Sequence, residues 1–158
     1  KNNSEIKLDS SLNNIQKNAI KKALSCNNYL LIQGPPGTGK THTLSHLIQE
    51  LIKKEERVLL SAFTHKSIDN VLLKLVEHGF TDFIRIGNHE SVEKKIHPYL
   101  VQEKFNNKKY DDINEIKKEI SNYPLIACTS ISAISSSLIN NINFSNKTFI
   151  KAIKNEAP

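Results

Sequence analysis

Gly34-Pro35-Pro36-Gly37-Thr38-Gly39-Lys40-Thr41 follows the pattern G-x-x-x-x-G-K-[ST], which binds phosphate for physical reasons. Its glycines let the backbone turn so that successive N–H groups point inward at phosphate oxygens. A helix starting near Lys40 adds the positive end of its dipole. Lys40 is expected to reach the β- and γ-phosphates of a nucleotide as a mobile charge, and the Thr41 hydroxyl to ligate Mg²⁺. Gly34, Pro35, Gly37, Thr38, Gly39, Lys40 and Thr41 are therefore the candidate nucleotide-binding residues. His42 and His46 follow at helical i, i+4 spacing, as in half of a zinc site. With no Glu between them and no third ligand evident in the sequence, they read as residues of a helix face. The serines at 132, 135, 136 and 137 lack the His–Asp pattern of a nucleophile.

The elements that position this loop alternate in type. Ile15, Ala19, Ile20 and Ala23 predict a short helix over 15–24. Tyr29–Ile32 is an apolar run between turn signals and reads as a buried strand entering the loop. Leu44, Leu47, Ile48, Leu51 and Ile52 form one stripe of a helix over 41–54. A strand at 58–62, a helix at 67–78 capped by Gly79 and a strand at 83–86 follow. Strands at 125–129 and 149–153 flank an apolar helix over 131–139. Such alternation predicts an α/β fold with an open, largely parallel sheet and helices on both faces. Two stretches depart from it: a polar, flexible lead over 1–11, and a charged, Asn-rich helical insertion over 88–122 whose stripe is Ile113, Ile116 and Ile120.

With 158 residues, 38% hydrophobic and 24% charged, one globular domain with a real core is expected, and two nucleotide-binding domains of ordinary size are not. There is no methionine, so the chain is expected to be a piece of something longer. No apolar run has membrane-spanning length and no signal-peptide core is visible. Two cysteines, Cys26 and Cys128, exclude a disulfide scaffold. The net charge of +6 suits a polyanionic partner. Lysine outnumbers arginine twenty to two, however, which AT-rich codons explain, so the charge alone is not read as function.

The form GPPGTGKT, preceded by Leu31-Ile32-Gln33, resembles superfamily-1 helicases, in particular the branch containing the nonsense-mediated-decay helicase and the Okazaki-fragment nuclease-helicase. Four more stretches fall in that family's order. Leu12-Asn13-Asn14-Ile15-Gln16 resembles the Q motif, which implies that Gln16 reads adenine with Asn13 nearby. Ala62–Val71 resembles motif Ia, implying that Thr64, His65 and Asn70 grip the backbone of a single strand; turn formation and helix capping are the structural alternatives for Thr64 and Asn70. Arg85-Ile86-Gly87 matches an arginine–glycine step, where Arg85 is as well explained structurally as by phosphate contact. Ile126–Ser130 resembles motif Ic, implying a phosphate contact for Thr129. At the Walker B position, Asn155-Glu156-Ala157 stands where the family has Asp-Glu-Ala. Glu156 would orient the attacking water, while Asn155 would bind Mg²⁺ more weakly than a carboxylate.

The resemblance implies a partial RecA-like ATP-binding motor domain over 1–158. Its cofactors would be ATP and Mg²⁺, and its partners single-stranded DNA (or RNA) and a second motor domain of the same protein. It would act inside the cell, in the nucleus if eukaryotic and the cytoplasm if bacterial. The rivals are a degenerate binding module without hydrolysis, an RNA helicase of the same superfamily, and a different P-loop enzyme. The last lacks support, since no guanine-reading N-K-x-D occurs.

Overall fold

The computed structural model describes residues 7–106, 112–139 and 147–152, the last of these as backbone. Three strands are buried nearly end to end: β1 (Arg57–Ala62), β2 (Phe83–Arg85) and β3 (Leu125–Thr129). Strands buried on both faces belong in a parallel sheet covered by helices. The sheet order is β2-β3-β1-β4, with β4 spanning Lys147–Ala152, and every pairing is parallel. Ala62 pairs with both Thr129 and Ala152, so the C-terminal ends of β1, β3 and β4 share one edge.

Side-chain alternation divides the core in two. Val58, Leu60, Ala62, Leu125 and Ala127 face α1 (Asn14–Ser25), α2 (Lys40–Lys53) and α3 (His65–Glu77). These helices contribute Ile20, Leu47, Ile48, Ile68, Leu72 and Leu75. On the other face Leu59, Ile126 and Cys128 pack with Phe105 and Ile120. Gly79 ends α3 at φ 80°, with its N–H on Val76 and the next on Leu75. That is the left-handed C-terminal turn glycine favours.

Between β2 and β3 the chain runs beside the sheet, with Leu100 bridged in parallel to Arg85. It forms a 3₁₀ turn at Lys94–Tyr99, then α4 (Val101–Lys104) and α5 (Ile113–Asn122). Ile96, Leu100 and Ile120 return fully buried side chains to the core, so the excursion is part of the packing. The lead is likewise partly anchored: Leu8 packs on the core and Leu12 is buried, while residues 1–6 lie outside the description.

Two expectations need correction. Tyr29–Ile32 is not one of the sheet strands: Tyr29 is 88% and Leu31 76% exposed. An apolar run becomes a strand only when a neighbouring ladder accepts its N–H and C=O groups, and no described strand does so. The apolar helix over 131–139 shrinks to α6, Ser130–Ser135, and leaves Ile131 and Ile134 facing solvent.

Candidate nucleotide and nucleic-acid sites

The glycine loop adopts the conformation its pattern requires. Gly37 and Gly39 both sit at φ 78°, a region costly for residues with a Cβ. Gly34 has no room for one, since an added Cβ would lie 2.9 Å from Thr38 Oγ1. Gly39 is the N-cap of α2 and makes no side-chain cap bond, so the first N–H groups of the helix face the loop. The Lys40 ammonium folds back onto the carbonyls of Gly34 (2.5 Å) and Pro35 (2.7 Å), positions from which incoming phosphate oxygens can compete for it. Thr38 Oγ1 donates to Pro35 O and Thr43 Oγ1 to Gly39 O. Among the described residues the Thr41 hydroxyl makes no hydrogen bond. It is thus the loop's unengaged hard oxygen donor, and it fits Mg²⁺.

The loop opens on a cleft of about 680 Å³, walled opposite by Ser11, Asn13, Gln16 and the apolar Ile15 and Ile32. Asn13 and Gln16 form a reciprocal capping box on α1: Gln16 N–H donates to Asn13 Oδ1 and Asn13 N–H to Gln16 Oε1, both at 2.9 Å. Gln16 Nε2 also donates to Thr38 O at 3.3 Å. This gives the L-N-x-x-Q stretch a structural role: it starts α1 and leans it against the phosphate loop. Adenine reading would require Gln16 to exchange both of these partners.

At the shared strand edge, Thr64 caps α3, accepting from Ser67 N and sharing a 2.8 Å hydroxyl contact with Ser67. Thr129 caps α6 through Ser132 in the same way. The capping alternative therefore holds for Thr64. For Asn70 it does not, because that residue lies exposed within α3. Phe63, between β1 and the Thr64 cap, is 77% exposed and offers a ring on which a base could stack. An aromatic immediately after a buried strand was the available signal for it.

Arg85 stands differently from its expected phosphate contact. It is fully buried, and its guanidinium is bonded inward. Nε donates to Asp69 Oδ1 (3.0 Å), Nη1 to Ile86 O (2.7 Å), and Nη2 contacts His65 Nδ1 (3.1 Å). Asp69 Oδ2 accepts from Glu93 N at 2.9 Å. The guanidinium joins α3, β2 and the segment after β2 through these bonds, a structural role for Arg85. His65 titrates below the ordinary histidine range, first because of burial and then because Arg85 lies beside it. Asn155 and Glu156 lie outside the described residues.

Comparison with known proteins agrees with this architecture. The family described as AAA domain matches residues 11–155. The chain belongs to that family. Among similar proteins, the DNA replication ATP-dependent helicase/nuclease JHS1 of Arabidopsis thaliana is 35% identical over 132 residues, 84% of this chain and 10% of that protein. The DNA replication ATP-dependent helicase/nuclease DNA2 of Homo sapiens is 36% identical over 146 residues, 92% of this chain and 13% of that protein. The dna2 protein of Schizosaccharomyces pombe is 35% identical over 120 residues, or 76% and 8%. This AAA-domain chain falls with the nuclease-helicase branch of superfamily 1, as its motif order implies. It spans about a tenth of the length of the curated relatives it matches. No described helix is long and apolar enough to cross a membrane.

Proposed function

We propose that this AAA-domain segment is the nucleotide-binding part of the first motor domain of an ATP-dependent DNA helicase, which couples ATP hydrolysis to translocation on single-stranded DNA. One observation carries the reading: an open glycine loop at the start of α2, with Lys40 at the wall of its cleft held on two loop carbonyls.

In this reading Gly34, Pro35, Gly37, Thr38 and Gly39 wrap the phosphates with backbone N–H groups. Lys40 exchanges its two carbonyls for β- and γ-phosphate oxygens. Asn13 and Gln16 bound the base end, with Ile15 and Ile32 as apolar walls. Mg²⁺, held by Thr41 and weakly by Asn155, neutralises phosphate charge when bound, and Glu156 orients the attacking water. The strand-edge residues Thr64, His65, Asn70 and Thr129 hold the single strand, with Phe63 beneath a base. A second motor domain closes the cleft. In a eukaryote such a protein acts on nuclear DNA.

The deciding experiment is binding of a non-hydrolysable ATP analogue to the chain and to Lys40→Ala. Equal affinities would sink the assignment. A second reading, a binding module without hydrolysis, is favoured by Asn155 in place of the family aspartate. Asn155→Asp separates the two: a gain in turnover identifies a weakened metal site, and no gain favours the module.

A further inference from the structure

The helix-face histidines have a third companion that the sequence did not reveal. His78, the C-cap residue of α3, lies beside His42 and His46 of α2. The ring centroids are 4.6 Å apart for His42–His46, 4.8 Å for His46–His78 and 5.7 Å for His42–His78. One nitrogen from each ring can be chosen so that all three lie within 4.8 Å of one another. His46 Nε2 is shut off from solvent and has no hydrogen-bond partner. A buried, unsatisfied nitrogen is a cost that needs a reason.

From this geometry we infer that His42, His46 and His78 form a binding site for a borderline divalent metal, zinc by preference, joining α2 to α3. Three neutral imidazoles are a donor set that suits zinc. Tetrahedral zinc, with Zn–N of about 2.1 Å, sets its ligand nitrogens about 3.4 Å apart, so the rings need to draw together by rotation of their side chains. One of them already carries an outer partner of the kind that orients ligating histidines: Ser11 Oγ, a hydroxyl that can accept, lies 3.1 Å from His42 Nε2.

The fourth position of a tetrahedral site is left to water. The Asp9 carboxylate acts electrostatically on both His42 and His46 and accepts the Ser11 N–H at 2.7 Å. Glu50 also acts on His46, but its Oε1 is paired with Lys53. A metal here would tie two pieces together: the helix that starts at the phosphate loop and the helix that starts at the Thr64 edge. Nucleotide loop and strand edge would then move as one body. The site does not depend on the helicase reading.

The test is zinc titration of the 158-residue chain in competition with a chromogenic chelator, with cobalt(II) as a spectroscopic substitute. The expected result is one zinc per chain, a cobalt spectrum of tetrahedral nitrogen–oxygen type, and a melting temperature that rises with free zinc. His46→Gln and His78→Gln should each weaken zinc binding about tenfold or more, while His89→Gln and Cys26→Ser leave it unchanged. His78 is exposed at a helix end, so its variant is expected to fold; the cobalt spectrum of the unaltered chain stands even if the His46 variant does not. Absence of zinc binding would overturn the inference. So would affinity unchanged in both histidine variants, loss of binding in Cys26→Ser, or a cobalt spectrum with sulfur character.

Discussion

The two places where this chain concentrates cationic chemistry differ sharply. At the phosphate loop Lys40 lies at the wall of an open cleft, held only by two carbonyls of its own loop. Behind the strand edge Arg85 is sealed in the core, with an aspartate, a carbonyl and an imidazole around its guanidinium. A flexible ammonium on weakly competing partners can change them when an anion arrives. A planar guanidinium fixed from three sides cannot, and it sets the geometry of what surrounds it. The contrast separates a group that acts from a group that holds.

The strongest way to break this comparison is Asp69→Ala. It leaves the Arg85 charge buried and unpaired, and should lower unfolding stability by about 3–5 kcal/mol, read as a shift in the urea midpoint. A shift no larger than a surface substitution gives would mean that water reaches the guanidinium. Lys40→Ala should do the opposite. Stability should stay within about 0.5 kcal/mol, while affinity for an ATP analogue falls about tenfold or more, about 1.4 kcal/mol. Asn13→Ala acts at the cleft wall opposite the loop. It should cost about 1 kcal/mol through the lost cap and also loosen α1 against the loop, seen as faster amide exchange at Thr38 and Gly39.

Smaller still is the pH response of His65. Its folded-state pKa lies below the usual 6.5. Between the two values the unfolded chain therefore binds more protons, and stability rises with pH. The full contribution is present above about pH 6.5 and declines as pH falls from there. His65→Gln should flatten that part of the stability profile; an unchanged slope would remove His65 from the network. The smallest effect expected is from Lys53→Ala. Its exposed pair with Glu50 should contribute only a few tenths of a kcal/mol.

What could be read in advance followed from contiguity. The phosphate loop is eight successive residues acting mainly through backbone, so pattern and conformation coincide. The α2 and α3 stripes and the buried strands were legible for the same reason: each carries its period within itself. Arg85 was ambiguous because its partners, Asp69 and His65, stand 16 and 20 positions away, and only packing brings them together. His78 escaped notice beside His42 and His46 because a helix–helix contact supplies it. Tyr29–Ile32 shows the converse: local apolarity is necessary for a strand, but the ladder partner is a property of the whole sheet. For Gln16, resemblance and structure assign the same amide to two tasks, and sequence has no means to rank them.

The two thiols offer a practical handle. Cys26 is exposed at the end of α1, its thiol on the Tyr29 carbonyl at 3.0 Å. Cys128 is buried in β3, where burial pushes its thiol up to about 11. A thiol that protected hardly ionises near neutral pH, and only thiolate alkylates. A maleimide dye should therefore mark one position on the native chain without prior mutagenesis. That position lies at the root of the apolar run leading into the glycine loop, so its fluorescence would report on ligand arrival there.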